Sequence, residues 1–173
     1  MNVLELFKKI TTFIFDVDGV LTDGTVLVLD NGLQARRMNI KDGFALQMAI
    51  KNGYRVLIVS GGHSPQVTNR LEKLGITDVH MSVADKKGFI TAYLFENKLL
   101  AEEVLYMADD LPDLPALSIV GLPCCPADAV HEVKESVKYI SHLNGGFACV
   151  RDVIEKVLKL NDHWAYRDDV ASK

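Results

Sequence analysis

Short apolar runs alternate along this chain with longer stretches in which apolar residues recur every three or four positions. The runs at 12–17, 55–59, 78–81, 104–107, 120–124 and 138–140 read as strands, and the periodic stretches 43–52, 65–74, 87–96, 112–119 and 129–136 read as helices. Strands alternating with helices of this length predict βαβ crossovers. The expected fold is therefore α/β: a Rossmann-like three-layer α/β/α sandwich around a mostly parallel sheet. One segment breaks the alternation. Residues 25–29 and 34–39 flank Asp30-Asn31-Gly32, and Asn-Gly tolerates the positive φ of a tight hairpin turn, so a small β-hairpin flap is expected over about 24–40. Near the end, Val150, Val153, Ile154, Val157 and Leu158 share one helical face and predict a last docked helix. Residues 161–173 are polar and charged and are expected to fray.

With 173 residues and 49% hydrophobic content, the chain can bury a real core, and one domain over 1–173 is expected. A net charge of −4, with the 19 Lys and Arg scattered, argues against a nucleic-acid partner. The best apolar run, which follows Glu5 and Lys8-Lys9, is too short for a secretory signal, and no stretch approaches a membrane span. Three cysteines, two of them adjacent at Cys124 and Cys125 with Cys149 apart, suit reduced thiols in the cytoplasm and offer no metal-ligand spacing.

Reactive residues gather where predicted strands end. Asp16 and Asp18 follow the first strand, in the run Asp16-Val17-Asp18-Gly19-Val20-Leu21-Thr22-Asp23-Gly24. Ser60-Gly61-Gly62 follows the second, Lys86 opens a helix after the third, and Asp109-Asp110-Leu111-Pro112-Asp113 follows the fourth. In a parallel sheet all four loops converge at one edge. Ser60 alone would be no more than a helix cap or turn residue, and the Lys86-Lys87 pair alone a solvated helix start. Together they suit phosphoryl transfer. Asp16 can attack phosphorus as a covalent nucleophile, and Asp18 can protonate the leaving oxygen and then accept a proton from water. Mg²⁺ on Asp16, Asp18 and Asp109 would neutralise the phosphate, with Asp110 or Asp113 orienting ligands or waters. Ser60, the Gly61 amide and Lys86 would bind the phosphoryl oxygens.

The order of these motifs resembles the haloacid dehalogenase (HAD) superfamily of phosphatases. The DVDGVLTDG loop, the hairpin, Lys41-Asp42-Gly43, Asp85-Lys86 and Gly145-Gly146 followed by Arg151 are similar, more narrowly, to its small capless branch of 3-deoxy-D-manno-octulosonate 8-phosphate phosphatases, over about 11–160. That resemblance implies a HAD-like, Mg²⁺-dependent homotetramer, with a neighbouring subunit covering the site. It further implies release of phosphate from an eight-carbon sugar-acid phosphate on the route to lipopolysaccharide, with Arg151 reaching an adjoining site. Two departures stand out. Ala108 replaces a frequent Gly before the second acidic cluster, and Gly62 replaces a frequent Arg after Ser-Gly, which shifts expected recognition of the sugar carboxylate to Arg70, Lys73 or Arg151. A nine-carbon, sialic-acid-type 9-phosphate is the alternative substrate, and a catalytically weak oligomerisation module the alternative class.

Overall fold

The central strand, Thr12–Phe15 (β1), carries three large apolar side chains in a row and is buried along its whole length. The structure, a computed structural model, describes residues 2–165 and 167–170. β1 pairs in parallel with Arg55–Val59 (β4) on one side and Val104–Met107 (β6) on the other, Phe15 lying opposite Ile58 and Met107. Asp78–His80 (β5), Leu122–Cys125 (β7) and Tyr139–Ile140 (β8) complete a six-stranded parallel sheet in the order β5-β4-β1-β6-β7-β8. Strand order reverses beside β1, because the chain winds outward through β4 and β5 and then returns to β6 on the other side. Ligand crevices form at such a reversal, beyond the strand ends.

Period-two alternation divides the sheet between two cores. Phe13, Phe15, Val56, Ile58, Leu105 and Met107 face one side, with Val3–Lys9 (α1), Ile40–Lys51 (α2), Pro65–Glu72 (α3) and Cys149–Leu160 (α7) packed there. Ile14, Leu57, Val59, Val104 and Tyr106 face the other, under Lys86–Glu96 (α4), Leu114–Leu117 (α5) and His131–Ser136 (α6). This is the expected α/β/α sandwich. The flap is shorter than its apolar pattern suggested: Leu27–Val28 (β2) pairs with Gln34–Ala35 (β3), and Gly32 takes a φ of 80° in the turn.

Three expectations change. Helix α1 had no counterpart in the periodicity, because Phe7 is its only buried residue; Asn2 caps it, accepting the Leu4 N–H at 3.1 Å. Residues 112–119 form a short 3₁₀ turn, Leu111–Asp113, and then α5, a break that follows from prolines at 112 and 115. The tail does not fray where it is described. Trp164 sits edge-on to Phe44 at 6.1 Å, His163 bonds the Tyr54 hydroxyl at 2.9 Å, and Val170 is buried. Residues 166 and 171–173 of that expectation lie outside the described residues.

Candidate active site

Asp16 is the first residue past β1, its N–H held by the Met107 carbonyl at 3.1 Å. Its Oδ1 accepts the Val17 N–H at 2.7 Å, and its Oδ2 faces Lys86 Nζ at 2.9 Å. Lys86 opens α4, whose N-cap Asp85 accepts the Gly88 N–H at 2.9 Å. Lys86 is buried, whereas Lys87 is exposed. Its ammonium is shared with Asp113, 2.6 Å away. Ser60 leaves β4 fully buried, and its hydroxyl accepts the Gly62 N–H at 3.1 Å, which turns the loop toward the same place. Asp16, Asp18, Ser60, Gly61, Lys86, Asp109, Asp110 and Asp113 all line one cavity of about 390 Å³.

Glycines allow this convergence. Gly19 has a φ of +81°, and a Cβ there would lie 2.0 Å from an oxygen of Asp109. Gly145 and Gly146 press on the back of the same loop: their Cβ positions fall 1.9 Å from the Gly19 carbonyl oxygen and 2.5 Å from the Asp23 nitrogen. The late Gly-Gly motif thus braces the loop that carries Asp16 and Asp18.

Oxygens of Asp16, Asp109 and Asp113 come within 4.8 Å of one another. Burial pushes the carboxyl of Asp16 up to about 7, an effect that Lys86 opposes and Asp113 reinforces. Burial followed by repulsion from Asp16 and Asp113 takes Asp109 to about 7 as well. Burial works against the Lys86 ammonium, yet the two carboxylates beside it outweigh that and hold its pKa above the ordinary lysine value. One lysine cannot balance three crowded carboxylates. An oxygen-only donor set with surplus negative charge fits a hard divalent cation such as Mg²⁺.

The cluster differs in membership from the one read in the sequence. Asp113 stands inside it, whereas the Asp18 carboxylate turns to the flap, where Arg36 Nε donates to its Oδ1 at 2.6 Å. Asp110 caps the 3₁₀ turn, accepting the Leu111 N–H at 2.8 Å. Tyr106 was missed. Its hydroxyl donates to Asp113 Oδ1 at 2.5 Å from the middle of β6. A tyrosine in an otherwise apolar, fully buried strand was the available signal, since a buried phenol needs a partner.

None of the three cations expected for the sugar carboxylate lines this cavity. Arg70 borders a neighbouring groove between flap and α3, Lys73 is exposed at the end of α3, and Arg151 lies 5.4 Å from the Trp164 ring and pairs with Glu155 at 2.9 Å. Ala108 is buried with Ile14, Leu57 and Val59, so its methyl fills core and not the site. The three free cysteines are buried, and burial raises all their thiols, Cys125 to about 11.

No family model matches the chain. The 3-deoxy-D-manno-octulosonate 8-phosphate phosphatase KdsC of Salmonella typhi is 31% identical over 157 residues, 91% of this chain and 84% of that protein. The chain belongs to this phosphatase family. The crystal structure of the Yersinia pestis phosphatase of that name superimposes with a TM-score of 0.90 at 30% identity, covering 93% of this chain and 87% of that one. The Moraxella catarrhalis phosphatase, solved with a magnesium ion, a phosphate ion and KDO, gives a TM-score of 0.89 at 28% identity, with 93% of each chain covered. The fold is that of HAD-superfamily hydrolases, as the motif order implied. Membership makes the chain a phosphatase and a hydrolase.

Proposed function

We propose that the chain hydrolyses 3-deoxy-D-manno-octulosonate 8-phosphate to the free sugar acid and phosphate, on the route to lipopolysaccharide, with residues 1–173 acting as one hydrolase domain. The observation that carries this reading is Asp16 itself: a buried carboxylate on the central strand end, 2.9 Å from Lys86 and clustered with Asp109 and Asp113. Asp16 attacks phosphorus, the bond to the sugar oxygen breaks, and Asp18 gives that oxygen its proton. Asp18 then takes a proton from water, which attacks the aspartyl phosphate, releases phosphate and restores Asp16. Ser60, the Gly61 amide and Lys86 hold the phosphoryl oxygens through both steps. Asp16, Asp109 and Asp113, with Asp18 close by in the same loop, would hold Mg²⁺, which when bound neutralises phosphate charge next to the attacking carboxylate.

Several features support the remaining parts of the reading. The flap exposes Leu27 (63%) and Val28 (69%), apolar surface suited to a homotetramer in which a neighbour covers the open mouth of the site. Free buried cysteines suit the cytoplasm, and no helix among the described residues is long and apolar enough to cross a membrane. The relatives favour the eight-carbon acid over the nine-carbon one, and the buried Ala108 methyl takes away the one sequence argument for an inactive module.

Phosphate release from the eight-carbon and nine-carbon sugar-acid phosphates, measured side by side, tests the proposal. A preference for the eight-carbon substrate that disappears with a chelator and with Asp16→Asn is expected. Preference for the nine-carbon substrate, or turnover that survives Asp16→Asn, would overturn it.

A further inference from the structure

The proposed substrate carries two separate anions, a phosphate and a sugar carboxylate, yet among the described residues Lys86 is the only cation lining the cavity, and it serves the phosphate. A second cation stands at the rim. Arg36, on the last stretch of the flap, borders the same neighbouring groove as Arg70, but it reaches the site through Asp18, which lines the cavity: with only 9% of its side chain exposed, it contacts Asp18 through Nε at 2.6 Å and Nη2 at 3.5 Å. The space it uses adjoins Gly62. A Cβ at position 62 would lie 3.0 Å from Asp18 Oδ2 and 3.8 Å from Arg36 Nη2, so the loop after Ser60 offers bare backbone where the guanidinium lies. Arg37, its neighbour, points elsewhere and pairs with Asp23 at 2.7 Å.

We propose that Arg36 is the carboxylate clamp of this enzyme: it rests on Asp18 and transfers to the substrate's carboxylate, which frees Asp18 to serve the leaving oxygen. The inference rests on the reading of the substrate as a sugar-acid phosphate. The planar guanidinium matches a carboxylate with two parallel hydrogen bonds, and Asp18 is itself a carboxylate, so the exchange replaces one partner by another of the same chemistry. The arrangement couples recognition to the reaction. A phosphoester with no carboxylate leaves Arg36 on Asp18, and both oxygens of Asp18 stay engaged. A clamp at Arg36 also places substrate selection on the flap, whose Leu27 and Val28 stand exposed.

The test compares kcat and KM for the eight-carbon sugar-acid phosphate with those for p-nitrophenyl phosphate, which has no carboxylate. In Arg36→Ala the ratio of kcat/KM between the two substrates should fall by about 10- to 100-fold, the range for losing hydrogen bonds to a charged group, carried mainly by KM for the sugar acid. Arg36→Lys should keep part of the ratio, and Gly62→Arg in the Arg36→Ala background should restore part of it by returning a cation to the same space. A ratio that stays at the wild-type value in both Arg36 variants overturns the clamp while leaving the proposed reaction intact. A wild-type protein that shows no preference for the sugar acid overturns both.

Discussion

Two buried carboxylate centres in this protein are built on opposite plans. Asp152, in the first turn of α7, accepts from the Tyr139 and Ser141 hydroxyls at 2.8 Å each, pairs with Lys156 and lies 3.6 Å from His142. Burial pushes its carboxyl up, but the bonds from Lys156, Tyr139 and Ser141 outweigh burial and hold it below the ordinary value. Asp16 and Asp109 stand at the strand ends with one shared lysine and a third carboxylate beside them, and both are pushed up to about 7. A carboxylate that serves the fold is given donors until its charge is satisfied. One that serves a reaction keeps acceptor capacity in reserve, which a cation or a phosphorus atom then uses.

Asp16→Asn is the sharpest test of that contrast. It should lower kcat by about 10³-fold or more, because an amide cannot form the acyl phosphate, and should leave the melting temperature unchanged or higher, because it removes like-charge repulsion from the cluster. Asp152→Asn should do the reverse, costing about 1 to 3 kcal/mol in urea unfolding while kcat/KM stays near wild type. Loss of activity from Asp152→Asn in a folded protein would erase the distinction. Magnesium extends the comparison. At about 100 times its Kd the ion should stabilise the wild type by about 2.7 kcal/mol in thermal melting, and Asp109→Asn should lose most of that shift. Tyr106→Phe should have a smaller effect, about 3- to 10-fold on kcat, since it removes one hydrogen bond to Asp113 and leaves Lys86 in place.

How much of this was legible in the sequence depends on whether a residue acts through its neighbours in the chain or through distant ones. The strands at 55–59 and 104–107 were read to the residue because each is a short, mainly apolar run between polar segments, and Asp16, Ser60, Lys86 and Asp109 were legible because strand ends in a parallel sheet must converge. Helix α1 was not, because one buried Phe7 makes no period. Tyr106 was not, because only the fold brings Asp113, seven positions on, back over the strand. The contact of Arg36 with Asp18 was not legible either, since flap and DxD loop are joined by packing and not by pattern. Gly145-Gly146 carried the resemblance but not their role; the loop they brace lies over a hundred residues earlier in the sequence.

Asp42 joins features of both centres, and its pH response separates them. It sits in the first turn of α2, fully buried, and its Oδ1 accepts the Arg151 N–H at 2.7 Å, so that it caps α7 from another helix in place of Ala148, which takes a φ of 76° and offers no cap. Its Oδ2 is buried with no hydrogen-bond partner among the described residues, and burial pushes the carboxyl up to about 7 despite that cap. The folded state therefore holds a proton that the unfolded chain releases near 3.8. Stability from this group is full below that lower value and is lost as pH rises through about 7. Asp152, with its pKa held down, acts in the opposite sense: its contribution is present at neutral pH and is lost as pH falls into the acid range. Asp42→Asn keeps a carbonyl oxygen for the α7 cap and removes the titration. Its stability relative to wild type should improve between pH 5 and pH 8, by about 1 to 3 kcal/mol in urea unfolding at the two pH values. A difference that does not change with pH would mean that Asp42 is ionised throughout, and would place it with Asp152 among the satisfied carboxylates.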